Sequence, residues 1–300
     1  MSEARKAIDG NGTIIMLFLC LLWGVQQPII KMFGSDVSPL LQIALRSLIG
    51  SVLLAIVMIR QNVSLALHKG PWQPGLLAGL LFSIEFFFVG ESLRLTNASR
   101  MIVFLYTNPI YLALGLHMLL PQERLSRSQW FGITVSFAGI IVAFMQGFET
   151  TTPSMLLGDL FALAAGLFWG LTTLVLRCSR LNSIPPSQTT QYQLIPGVVF
   201  LLLACVLTDQ MHFNPTPAAI AVVLGQGVII AFFSLWVWFW LLTVYKASQL
   251  ASFSFVSPII GVAAGIILLN EPLHINFLIG AVLVITGVAI VNRPRKRQLV

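Results

Sequence analysis

Two residues carry charge where the surrounding sequence is apolar. Glu85 sits within Leu80-Leu-Phe-Ser-Ile-Glu-Phe-Phe-Phe-Val89, and Arg46 lies inside the apolar run 40–59. An ionised group in hydrocarbon is costly unless it is paired or hydrated, so each needs a partner or a cavity. Glu85 therefore has two readings: a carboxylate that binds a proton or a substrate amine, or a structural partner of Arg46. Trp23, Gln26 and Gln27 share one helix face, since positions three and four apart are neighbours. Trp169, Thr172 and Thr173 repeat that arrangement later in the chain. These groups offer stacking surfaces with amide and hydroxyl contacts for a small zwitterion, or else packing with interhelical hydrogen bonds. Pro109 and Pro258 interrupt two apolar runs at corresponding places, beside Tyr106 and Asn108 in one and Ser254 and Ser257 in the other. A proline frees a carbonyl and kinks a helix, and paired interruptions point to a binding site or gate. In Phe232-Phe-Ser-Leu-Trp-Val-Trp-Phe-Trp240 aromatics run all round the helix, so some must face lipid or headgroups; Trp236 and Phe239 share a face and are candidates for a cavity, though sequence does not fix which face turns inward.

The elements that position these residues follow from composition. Of 300 residues, 57% are hydrophobic and only 9% are charged, against about 25% charged in a soluble domain. Such a chain cannot cover a water-facing surface, and it reads as an integral membrane protein with the lipid bilayer as its solvent. Apolar runs at 13–30, 40–59, 75–93, 98–120, 129–147, 155–177, 187–207, 218–242, 247–269 and 274–291 predict ten transmembrane helices. Lipid leaves backbone polar groups no partner outside a helix or closed barrel, and runs without alternation exclude the barrel. The first run is read as an uncleaved span rather than a signal peptide, because it holds Trp23, Gln26, Gln27 and Pro28 and no small-residue cleavage site follows. The three cysteines, Cys20, Cys178 and Cys205, lack metal-ligand spacing.

Basic residues orient the spans. Net charge is +7, and thirteen of the 17 Lys and Arg residues fall on one side, including Arg60, Lys69, Arg124, Arg127 and the tail Arg293-Pro-Arg-Lys-Arg297. Lys31, Arg94 and Arg100 fall on the other. This positive-inside bias places both termini in the cytoplasm.

The chain also reads as two copies of one unit. Trp23-Gly24 returns as Trp169-Gly170, an offset of 146 residues, and Gly50 returns as Gly197, an offset of 147. Asn108-Pro109-Ile110 returns as Ser257-Pro258-Ile259, an offset of 149, while Gly132 and Gly139 return as Gly280 and Gly287, an offset of 148. Five spans per copy is odd, so the second copy is inverted, as in many secondary transporters. The expected organisation is a cytoplasmic segment 1–12, a first five-helix repeat 13–147, a linker 148–154, a second repeat 155–291 and a basic tail 292–300, around a central cavity. The glycines seven apart lie on one helix face and are expected to pack within the protomer, which favours a monomer; a homodimer seam is the alternative.

The second part of each unit has a recognisable pattern. Glu91-Ser-Leu-Arg-Leu-Thr-Asn-Ala-Ser99 leads to Asn108-Pro109 and then Leu119-Leu-Pro-Gln-Glu123-Arg-Leu125; Val244-Tyr-Lys-Ala-Ser248 leads to Ser257-Pro258 and then Leu268-Leu-Asn-Glu271-Pro-Leu273. This resembles the EamA-type module of the drug/metabolite transporter superfamily, twice over. Pro121-Gln122 and Asn270 stand where glycine usually precedes the glutamate. The resemblance implies an alternating-access exporter of amino acids, aromatic or broad-range, and related small metabolites in the bacterial inner membrane. A multidrug or lipid exporter, or a nucleotide-sugar or phosphate antiporter, is the alternative on the same fold. Arg46 as the single basic residue well inside a span disfavours phosphate-bearing substrates. Protons are a candidate coupling partner. No P-loop, G-x-S-x-G or H-E-x-x-H is present, and no basic patch with interleaved aromatics, so neither an enzyme nor a nucleic-acid binder is expected, and no cofactor or metal.

Overall fold

The computed structural model describes residues 5–96, 98–145, 152–269 and 275–292. Regular structure among them is helical, apart from isolated bridges between Lys6 and Tyr245 and between Val37 and Phe213. Helix α1 spans Gly10–Met32, α2 Pro39–Arg60, α3 Trp72–Leu95, α7 Pro153–Cys178 and α8 Pro186–Leu207. Helix α9, Pro217–Gly225, runs through a π-helical segment, Gln226–Ser234, into α10, Leu235–Val244. These make six continuous helical rods of 22–28 residues, apolar enough to cross a membrane, each at least about 30 Å long at 1.5 Å per residue. Between them lie shorter helices: α4 Ala98–Leu105, α5 Asn108–Leu119, α6 Arg127–Phe144, α11 Ala247–Phe253, α12 Val256–Leu269 and α13 Ile275–Asn292.

Helix starts follow from local chemistry. Ser38, Thr152 and Thr216 each cap a helix that opens on proline: Ser38 Oγ accepts from Leu41 N–H, Thr152 Oγ1 from Met155 N–H and Thr216 Oγ1 from Ala219 N–H. Ser126 and Gln129 form a capping box at the start of α6. The expected runs 98–120 and 247–269 are each two helices, broken at Tyr106–Thr107 and at Ser254–Phe255. Both breaks lie just ahead of a proline, Pro109 or Pro258, that cannot donate to the preceding turn. These breaks, and the 18-residue lengths of α6 and α13, explain why six continuous rods stand where ten uniform spans are expected.

The polarity of the molecule suits lipid. Large apolar side chains such as Ile14, Phe18, Leu77, Phe131, Val199 and Ile285 face outward, while a run of polar side chains on α8, from Ser187 to Gln193, is buried. Glycines let the helices approach closely. A Cβ on Gly132 would stand 2.8 Å from the Gly287 carbonyl oxygen, and one on Gly139 2.8 Å from that of Gly280, so α6 and α13 meet backbone to backbone. The expectation that these glycines pack within the protomer agrees with this contact.

Contacts also repeat at equivalent positions. A Cβ on Gly24 would meet Ile260 Cβ at 3.0 Å, and one on Gly170 would meet Tyr111 Cβ at 3.1 Å. Gly50 faces Ala231 in the π segment, and Gly197 faces Phe82. Ile260 and Tyr111, like Ala231 and Phe82, lie 149 residues apart.

Candidate functional site

A cavity lies between α1, α2, α3, α4, α7, α8, the π segment and α10. The volume open to the centre of a water molecule is only about 60 Å³, room for a few waters, so the walls stand close together. The aromatic wall is continuous. Trp23 meets Trp169 edge-on with centroids 5.9 Å apart and Trp238 at 5.4 Å, and Trp169 meets Tyr106 at 5.6 Å. Trp23 Nε1 donates to Ser234 Oγ at 3.1 Å, which fixes its ring.

Two opposite charges line the same space without pairing. Arg46 Nη1 donates to Gln26 Oε1 at 2.8 Å, and the guanidinium lies 4.9 Å from the Phe86 ring centroid. Glu85 is 5% exposed, and among the described residues it has no hydrogen bond and no ion pair within 4.0 Å. Glu85 and Arg46 thus line one cavity without a direct ion pair. The positions equivalent to Arg46 and Glu85 hold Gln193 and Ser234, so both charges come from the first copy.

Of the residues singled out by sequence, Trp23, Gln26, Gln27, Arg46, Glu85, Tyr106, Trp169, Thr172, Thr173 and Phe239 line the cavity. Thr172 and Thr173 donate back to the carbonyls of Phe168 and Trp169, so their hydroxyl protons are engaged and only their lone pairs face a ligand. Gln27 Oε1 and Gln193 Oε1 are buried without a partner. Asn108, Pro109, Ser254, Ser257 and Pro258 lie outside the lining. They shape the helix breaks instead. Pro109 leaves the Leu105 carbonyl without its usual donor, and α7 covers it with Gly166, whose Cβ would stand 2.6 Å from that oxygen. Cys20, at the position equivalent to Gly166, donates its thiol to the Phe253 carbonyl at 3.2 Å, the counterpart of the Phe104 carbonyl that Gly166 also approaches. Trp236 also lies outside the lining and packs on Phe232, 5.7 Å between centroids. The cavity takes the Leu235, Trp238 and Phe239 face of α10, and Trp236 is one residue, about 100°, away from Leu235. Trp238, Phe82 and Phe86 line the cavity without having been singled out. In helices so rich in aromatics, periodicity does not mark an inner face.

The arrangement offers one cation, one anion and an aromatic wall around one cavity. No group of three or more potential metal ligands exists among the described residues.

Several known proteins with similar sequences are named as transporters. The family model described as the EamA-like transporter family matches residues 10–145 and again 156–293. The Bacillus subtilis protein named "Uncharacterized transporter YvbV" is 30% identical over 95% of this chain and 92% of its own. A "Probable amino-acid metabolite efflux pump" of Salmonella typhimurium is 25% identical, over 92% of this chain and 93% of its own. A solved crystal structure shares the fold, with a TM-score of 0.78 at 20% identity over 93% of this chain and 96% of that one.

Proposed function

The chain belongs to the EamA-like transporter family, and from that premise we propose that it exports small zwitterionic metabolites, amino acids foremost, across a bacterial inner membrane by alternating access. Arg46 and Glu85, which line one cavity without a direct ion pair, carry this reading. A zwitterion satisfies both at once, its carboxylate on the Arg46 fork and its ammonium on Glu85, and repays the cost of keeping two charges in a lipid-embedded core. The aromatic wall around Trp23, Trp169 and Trp238 accommodates the rest of the molecule. A phosphate-bearing substrate calls for more cations, and Arg46 is the one basic residue among those lining the cavity. The names of the relatives in Salmonella typhimurium and Escherichia coli, each a "Probable amino-acid metabolite efflux pump", point the same way. In this reading ten crossings form two five-helix units of opposite topology, with both termini in the cytoplasm. The chain works as a monomer, because its glycine stripes are already occupied within it.

Flux of radiolabelled amino acids in proteoliposomes tests the proposal. Amino-acid flux is expected, and Arg46→Gln or Glu85→Gln is expected to lower it at least tenfold. Absence of amino-acid flux, with flux of nucleotide sugars or cationic drugs, overturns the substrate class.

A further inference from the structure

Similar clasps hold the ends of α3 and α10 against α1 and α7. At the end of α3, Thr96 Oγ1 donates to Asp159 Oδ1 on α7 at 3.1 Å, and a Cβ on Gly158 would stand 2.9 Å from Thr96 Cβ. At the end of α10, Tyr245 Oη donates at 2.7 Å to Asp9 Oδ1, the cap of α1, and a Cβ on Gly12 would stand 2.7 Å from the Tyr245 ring. Thr96 and Tyr245 are 149 residues apart, and Gly12 and Gly158 are 146 apart, the offsets that relate the two copies. A second link repeats as well. Lys31, near the end of α1, donates to the Leu93 and Thr96 carbonyls, and Arg177, near the end of α7, donates to the Leu242 carbonyl at 3.2 Å. Lys31 and Arg177 are 146 apart, and Leu93 and Leu242 are 149 apart. One clasp thus ties the end of α3 to α1 and α7, and the other ties the end of α10 to the same two helices.

We propose that the ends of α3 and α10 are the two gates of the transport cycle, held shut by the Thr96–Asp159 and Tyr245–Asp9 latches and released one at a time. The proposal rests on the inverted, alternating-access reading above. α1 and α7 contribute to both clasps and serve as the common frame, while α3 and α10 each close one end. Both latches are made in this structure, consistent with the narrow cavity between them.

Sided labelling tests the gates without a substrate. Thr173→Cys places a thiol on the cavity wall in a chain whose Cys20, Cys178 and Cys205 are replaced by alanine. A membrane-impermeant maleimide is then applied to right-side-out and inside-out vesicles. Tyr245→Phe is expected to raise labelling from the N-terminal face about five- to tenfold, the scale of one lost hydrogen bond in a two-state balance. Thr96→Val is expected to do the same from the opposite face. Gly12→Ala and Gly158→Ala, which wedge a methyl into the same two contacts, should reproduce the two results. Unchanged labelling, a rise from the same face in both variants, or a rise from both faces in either overturns the gates. Sided labelling as expected with no amino-acid flux keeps the gates and removes the substrate assignment; flux without sided labelling does the reverse.

Discussion

Gln26 gives up its side-chain oxygen to the Arg46 guanidinium, and Phe86 covers the same fork from one face. The remaining donors are thereby aimed at the cavity before a ligand arrives, which removes ordering cost from binding. Gln26 is thus a positioning residue in the proposed site, and a hydrogen bond to a charged group is worth about 1.5–3 kcal/mol. Gln26→Ala is expected to raise KM for the transported amino acid about tenfold with a smaller change in kcat, measured as initial rates in proteoliposomes. Thr172→Val is the contrast: its proton already goes to Phe168, and KM should move less than threefold. Arg46 and Glu85 were legible in the sequence because charge inside an apolar run needs a reason. Their relation was not. Burial suggests a direct ion pair, whereas both line the cavity without one, and only the placement of α2 against α3 decides that.

Interruptions of helical regularity carry the site's shape at the scale of elements. The prolines announce the two broken helices, but the breaks fall two to four residues earlier, and what enters the cavity is Tyr106 rather than Asn108 or Ser257. The π segment Gln226–Ser234 has no sequence mark, yet it sets which face of α10 turns inward and so exchanges Trp236 for Trp238. Glycine contacts were more legible, since a seven-residue spacing fixes a helix face without any knowledge of the fold. A Cβ on Gly139 would stand 2.8 Å from the Gly280 carbonyl oxygen and from Val284 N, backbone atoms that cannot turn aside. Gly139→Val is therefore expected to destabilise the protein by roughly 1–3 kcal/mol, seen as a lower melting temperature in detergent. At Gly225 nothing lies within 4 Å of a new Cβ. There Gly225→Ala should leave the melting temperature unchanged or raise it, because alanine is the better helix former. Loss of stability in both variants would mean that crowding is not the cause.

Duplication sets the behaviour of the whole molecule, and departures from it set the bias. The repeat itself was plain from glycine and proline offsets. The latches were not, because Thr96 and Asp159 are 63 residues apart and Tyr245 and Asp9 are 236 apart. The N-terminal latch is built from more than one bond. On the N-terminal side Lys6 donates to Asp9 at 2.8 Å and lies 4.9 Å over the Tyr245 ring, while Lys6 N–H donates to the Val244 carbonyl and Ile8 N–H to Gln249 Oε1. Lys6, then the Gly12 N–H, then Tyr245 hold the Asp9 carboxyl well below its usual range, and Asp9 in turn raises Lys6. A depressed carboxyl contributes above its free value, near pH 4, and loses that contribution only as pH falls through the lower folded value. A raised lysine contributes below its free value, near pH 10, and loses that contribution as pH rises through the higher folded value. Tyr245, the other titratable group facing Asp9, is also raised, burial first, and stays neutral over the same range. The N-terminal latch is therefore constant between pH 5 and 9, and any pH dependence of transport in that window must arise elsewhere. With the cavity thiol as reporter, Asp9→Asn is expected to raise labelling from the N-terminal face by the same factor at pH 5.5 and at pH 8. A factor that shrinks at the lower pH would show that Asp9 takes up a proton in this window, and the latch would then be a pH-sensing gate rather than a fixed one.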